Sequence, residues 1–265
     1  MSKFTHSLFA AGLLLAASQA QALVISNTGN STGSPSQPTY QASISDSDVG
    51  QTFTLYWDVP AGTVGDTALP VDLSATITFT INSFNVDYGA NADTLSLGIN
   101  IANTTDLSAY PGTNSAITSF GFGVSPDASA SIVSAGSVFD TVGAGSGTSQ
   151  NYPGGFSNID VCIFADGCSG GNINNGLQAG SSDSLVVTLT GNFDNGGDTL
   201  IGGAATLFDF PLKFQGTWGS FETPGQTTPP PPPPSVPEPG TLALLGIALV
   251  GVGLTTRRRK AQTNS

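Results

Sequence analysis

From Gln51 onward, apolar and polar residues alternate with a period of two. Phe53, Leu55 and Trp57 interleave with Thr52, Thr54 and Tyr56; in the run 73–88 (LSATITFTINSFNVDY), Ala75, Ile77, Phe79 and Ile81 share one side and Thr76, Thr78 and Thr80 the other. A strand sends successive side chains to opposite faces, so each run predicts a strand with one buried face. The same reading predicts strands over 94–102, 116–124, 184–190 and 204–215, with Pro211 confining the last to a sheet edge or a bulge because proline lends no N–H to a ladder. Turn-forming groups at 87–91, Tyr110-Pro111-Gly112 and Asn195-Gly196-Gly197 separate the runs. Long amphipathic helical patterns are missing. The expected fold is therefore all-β: roughly six to ten antiparallel strands forming a β-sandwich or jelly-roll-like body. Segments 26–47 and 141–155 are poor in apolar residues and read as loops.

The two ends follow different rules. Lys3, the apolar run 8–17 (LFAAGLLLAA) and Ala20-Gln21-Ala22 form a Sec-type signal peptide, which predicts passage through the Sec translocon and cleavage by signal peptidase after Ala22. An uncleaved anchor would need about 20 apolar residues. At the other end, residues 223–235 include the unbroken run Pro229 to Pro234, a polyproline II spacer. Val236-Pro237-Glu238-Pro239-Gly240 follows, then the apolar run 241–256 and the block Arg257-Arg258-Arg259-Lys260. That apolar run can reach across a bilayer if its flanks adjust, and the basic block would stay cytoplasmic. Gly246, Gly251 and Gly253 permit close approach to another membrane protein. The expected organisation is a signal peptide (1–22), a secreted β-rich domain (23–222), a Pro-rich linker (223–235) and a sorting segment (236–260) with one transmembrane helix.

The stretch VPEPGTLALLGIALVGVGLTTRRRK resembles the PEP-CTERM sorting signal of Gram-negative bacteria. The resemblance implies recognition at Pro237, Glu238 and Pro239, and removal of the tail by an exosortase, an integral-membrane transpeptidase-like enzyme. It also implies a cell-envelope or extracellular protein, transiently anchored in the inner membrane and associated with exopolysaccharide or biofilm matrix. A plain anchor on a Pro-rich stalk would explain the span and the arginines but not the Pro-Glu-Pro triplet. The segment VCIFADGCSGG further resembles a Cys-containing subgroup of the family, the cistern type.

Charge narrows the chemistry. Only 9% of residues are charged, and 34 are glycine. The interval 23–222 holds 17 acidic residues and one basic residue, Lys213, a local charge of −16. Such a body repels phosphates and anionic lipid, so no nucleic-acid partner is expected. The single histidine, His6, lies in the signal peptide, and 23–222 has no arginine. Ser-His-Asp and Cys-His catalysis, His-ligated zinc and Arg phosphate clamps are thereby removed. Glu222 is the only Glu before the sorting motif, and nothing flags a carboxylate pair of the kind glycoside hydrolysis needs. No enzyme is expected.

Four minor features remain. Cys162 and Cys168, the only cysteines, are expected to form a local disulfide in the oxidising compartment reached after export. Gly196-Gly197-Asp198-Thr199-Leu200-Ile201-Gly202-Gly203 resembles half of an RTX calcium-binding repeat, with Asp198 as the Ca²⁺ ligand; stacking needs tandem copies and there is one, so a hairpin turn is the simpler reading and no cofactor is expected. Asp46-Ser47-Asp48 reads as an oxygen-ligand pair or a solvated turn. Tyr56, Trp57, Tyr152 and Trp218 are candidates for stacking on sugar rings, Trp57 and Trp218 foremost, with core packing as the alternative fate. The leading expectation is a non-catalytic exported matrix protein; the alternative is a carbohydrate-binding β-sandwich module.

Overall fold

The structure is a computed structural model that describes residues 23, 25–30, 38–87, 93–144, 150–194 and 203–230. Among these the fold is all-β, with short 3-10 turns as its only helical elements. One antiparallel sheet contains β3 (Thr52–Val59), β4 (Leu73–Asn85), β5 (Asp93–Asn103), β7 (Ala128–Ser134) and β13 (Ser182–Gly191), in the order β3-β4-β5-β13-β7. Its register sets Phe53 opposite Phe79, Leu55 opposite Ile77 and Trp57 opposite Ala75. The apolar set of each strand therefore lies on one face, and the threonines lie on the other.

The facing sheet is built around β6 (Ser115–Ser125). Its other members are β1 (Ile25–Asn30), β2 (Pro38–Ser45), β8 (Thr141–Ala144), β11 (Val161–Phe164), β12 (Leu177–Gln178), β14 (Ala204–Phe208), β15 (Pro211–Gly216) and β16 (Gly219–Pro224). On one side β6 pairs with β14 and then β15; on the other it pairs with β12 and β11. Lys213 opposes Ser119 while Phe214 opposes Ile117, so Thr118 is an inserted bulge residue. The bulge returns Ile117 to the inner face that Phe120, Phe122 and Val124 occupy.

Aromatic rings bridge the sandwich. Phe79 stacks on Phe53 at 4.7 Å and meets Phe122 at 6.0 Å and Phe210 at 5.8 Å. Such contacts add to the area buried, which is the main stabilising term.

Three expectations change. The run 204–215 is two strands, because Asp209 adopts a left-handed φ of 47° and turns the chain before Pro211 opens β15. Segment 26–47 holds β1 and β2, which pair along the sheet edge and need few apolar residues; Ala42 and Ile44 supply the inner face. Segment 141–155 contains β8 and β9 (Gln150–Tyr152), the latter paired with β10 (Phe156–Ile159). The β-sheet pairing also runs past Glu222: β16 ends at Pro224, the Gly225 amide donates to the Phe210 carbonyl at 2.8 Å, and Gln226 exchanges backbone bonds with Tyr56.

Candidate functional site

The outer face of β6 is as deeply buried as the inner one: every residue from Ser115 to Val124 is inaccessible or nearly so. What covers it is the β9–β10 hairpin with the disulfide loop. Tyr152, Phe156, Ile159 and Cys162 form a second apolar cluster, with Phe164 and Cys168 packed against it. Gly121 is required beneath them, since a Cβ there would lie 2.6 Å from the Val161 carbonyl oxygen and 2.8 Å from the Ile159 side chain. Burial pushes the Tyr152 hydroxyl far above its ordinary range, against the lowering effect of its bond with the Ser119 hydroxyl. It stays protonated and donates to the Ser119 carbonyl at 2.9 Å. The Ser119 hydroxyl also donates to the Cys168 carbonyl at 3.0 Å, tying the loop to the strand. Cys162 and Cys168 form the expected disulfide, with Cα atoms 5.9 Å apart.

Beside this cluster, Lys213 and Glu222 face each other across the β15–β16 hairpin and form an ion pair, with side chains 6% and 15% exposed. The sole cation of the body is thus spent inside it. Buried acids elsewhere serve the fold. Burial alone would push Asp183 up, but the amides of Phe139, Ser137 and Val138 and the Ser137 hydroxyl outweigh it and hold the carboxyl below its ordinary range. Asp93 accepts from the Asp87 and Phe193 amides at 2.7 and 2.6 Å.

A slot opens where β3 and β16 diverge. At one end, Tyr56 and Gln226 exchange backbone bonds of 2.8 and 2.7 Å; at the other, the Trp218 carbonyl accepts from Asp66 at 2.9 Å and from Thr67 at 3.3 Å. Between these anchors no strand pairing joins β3 to β16. The slot encloses about 440 Å³, with Val59, Pro60, Val64 and Phe221 as apolar walls and Asp58, Ser220, Glu222 and Thr223 as polar ones. Gly154 of the β9–β10 turn, at φ 79°, closes against Glu222, where a Cβ would stand 2.6 Å from the glutamate Cβ. Thr223 is 2% exposed, and its hydroxyl has no hydrogen-bond partner among the described residues. Burial, and then the Asp72 charge, raise the proton affinity of Asp58.

The expected sugar-stacking residues are corrected by burial. Trp57 is 1% exposed, and its indole N–H donates to the Phe210 carbonyl at 3.0 Å; it is a core residue. Trp218 is 8% exposed and Tyr152 2%. None of these three offers a ring face to solvent. At the Asp46-Ser47-Asp48 turn, the Asp48 carboxylate accepts from the Ser45 amide and hydroxyl, each at 2.8 Å, so it closes a 3-10 turn. Among the described residues no three His, Cys, Asp or Glu side chains gather as a metal site, and no helix is long and apolar enough to cross a membrane. Ala20, Ala22, Asp198, Pro237, Glu238, Pro239 and the apolar run 241–256 lie outside the described residues.

Sequence reasoning missed Asp58, Thr223 and the pairing of Glu222 with Lys213. A usable signal existed for the pair: a lone Lys and a lone Glu flank the turn between Gly216 and Gly219 at positions that oppose each other in a hairpin.

The family model described as the PEP-CTERM protein-sorting motif matches residues 235–260. The chain carries this motif, which marks it as an exported protein sorted by an exosortase and processed at the membrane. The match does not reach Cys162 or Cys168. No curated protein and no solved structure matches the chain.

Proposed function

We propose that this chain is a non-catalytic cargo: a β-sandwich exported through its N-terminal signal peptide, released from its tail by an exosortase, and retained in the exopolysaccharide matrix at the cell surface. The observation that carries the reading is the sorting motif at 235–260, set behind a body of opposite chemistry. That body has no histidine or arginine, and its one lysine is buried against Glu222. A general base, an imidazole ligand and a cationic phosphate clamp would all have to be improvised from aspartates. The proline run beginning at Pro229 fits the role of a spacer between body and processing point.

Mass spectrometry of the protein from its native host tests the reading. The expected species begins at Leu23, ends between Pro237 and Gly240, and lacks two hydrogens relative to the dithiol. A surface population retaining Arg257 to Lys260 overturns the processing step. Turnover of any polysaccharide or ester by the purified protein overturns the non-catalytic assignment.

A further inference from the structure

We propose that the Cys162–Cys168 disulfide is a redox latch: oxidised, it holds loop 166–172 down over Lys213; reduced, it releases the loop and presents that lysine to solvent. The latch acts within the folded body and does not depend on how the tail is processed.

Strand register puts the lysine under the loop. Directly opposed residues of neighbouring strands send their side chains to the same face of a sheet. Phe164 opposes Ser119, Ser119 opposes Lys213 and Lys213 opposes Glu222, so one row crosses β11, β6, β15 and β16 on the outer face. The chain leaves β11 after Phe164 and turns back over this row. The Ser119 hydroxyl donates to the Cys168 carbonyl at 3.0 Å, and a Cβ built on Gly170 would lie 3.6 Å from the Lys213 Cε. From the other side, Gly154 of the β9–β10 turn closes on Glu222. A lysine on the outer face of a sheet ordinarily reaches water. Here its side chain is 6% exposed.

The loop has little of its own to keep it there. Residues 166–172 read Asp-Gly-Cys-Ser-Gly-Gly-Asn, and Cys168 is the only apolar side chain among them. The Asn172 amide donates to the Asp166 carboxylate at 2.9 Å and the Gly170 amide to the Gly167 carbonyl at 3.3 Å. Those bonds shape the loop from within and do not fasten it to the sheet. Two links do: the Ser119 bond to Cys168, and the disulfide, whose Cys162 sits opposite Gly121. Three glycines give the segment much conformational freedom to regain on release.

The chemistry is reversible thiol–disulfide exchange with a dithiol. Cys162 is fully buried and Cys168 only partly, so the reductant's thiolate attacks the Cys168 Sγ. A mixed disulfide forms there, the Cys162–Cys168 bond breaks, and Cys162 leaves as a thiolate that takes a proton. The reductant's second thiolate then displaces Cys168, which is protonated in turn, and the reductant departs as its own disulfide. The chain gains two electrons and two protons; an oxidised dithiol carrier runs the exchange backwards. A chain that has not met an oxidising compartment thus shows its lysine, and one that has conceals it.

The test uses the full chain in detergent, acetylated with N-hydroxysuccinimide acetate. Peptide mass mapping scores Lys213 relative to Lys260 of the same chain. Slow acetylation of Lys213 is expected in the oxidised chain and about thirtyfold faster acetylation after a dithiol reductant, because the crosslink no longer opposes loop opening. The Cys162→Ser/Cys168→Ser variant should match the reduced chain, and reoxidation of the unaltered chain should restore the slow rate. Hydrogen exchange at β4 and β5 should be the same in both states, which separates release of the loop from unfolding of the body. Should the double variant fail to fold, the reduction and reoxidation cycle of the unaltered chain carries the test.

An increase below about threefold on reduction overturns the latch, since the crosslink would then contribute almost nothing to closure. So does an increase accompanied by lost protection at β4 and β5, or a fast rate that persists after reoxidation.

Discussion

The interior between the sheets and the cluster outside β6 are stabilised by different means. The interior is assembled from long alternating strands, and Phe53, Phe79, Phe122 and Phe210 interlock across it. The outer cluster sits under strands of three or four residues and gathers Tyr152, Phe156, Ile159 and Cys162. Apolar area carries the first. The second has too little area and relies on discrete bonds: the Cys162–Cys168 disulfide, and the Tyr152 and Ser119 hydroxyls. One chain thus contains a core that tolerates the loss of any one bond and a lid that does not.

The comparison predicts a hierarchy of damage. Phe79→Ala should be worst, costing about 4 kcal/mol in urea unfolding followed by Trp57 and Trp218 fluorescence, because it opens a cavity touching both sheets. A loss below about 1 kcal/mol would mean that the interior is not packed as described. Replacing both cysteines by serine should cost about 2 kcal/mol, given the short loop they close. Hydrogen exchange should then quicken at β9, β10 and β11 while β4 and β5 stay protected; equal loss in both regions would erase the distinction.

Smallest is Asp183→Asn, about 1 to 2 kcal/mol at neutral pH, since the amide replaces one of two accepting oxygens. Its pH dependence carries a sign. The folded carboxyl sits below its ordinary range, so its contribution is present above that range and lost as pH falls through the folded value. The gap between parent and variant should therefore close in acid. A gap that widens on acidification would show the carboxylate is not held by those amides.

Much of the interior was legible because alternation is local. Phe53, Leu55 and Trp57 point inward, and Thr52, Thr54 and Tyr56 lie on the other face, as their period requires. Strand β6 hid its second buried face: Ser119, Gly121 and Gly123 read as a solvent side, although small residues there make room for a lid encoded some thirty residues later. The break at Asp209 had no local warning except Pro211 two positions on. Edge strand β1 and its neighbour β2 escaped because pairing near a margin asks little apolar surface of the sequence. The slot was illegible for a different reason. Asp58 merely continues the polar face of β3, and only the return of β16 from the far end of the domain sets Thr223 and Glu222 beside it.

The burial of Lys213 bears on how the folded body meets proteases. Between Leu23 and the Arg257 cluster, an endopeptidase that cuts after lysine or arginine finds this one position. There the backbone is paired to β6 on one side and β16 on the other, and the ammonium is occupied by Glu222. Trypsin-class enzymes and reagents that attack side-chain amines accordingly find no ready target on the folded body.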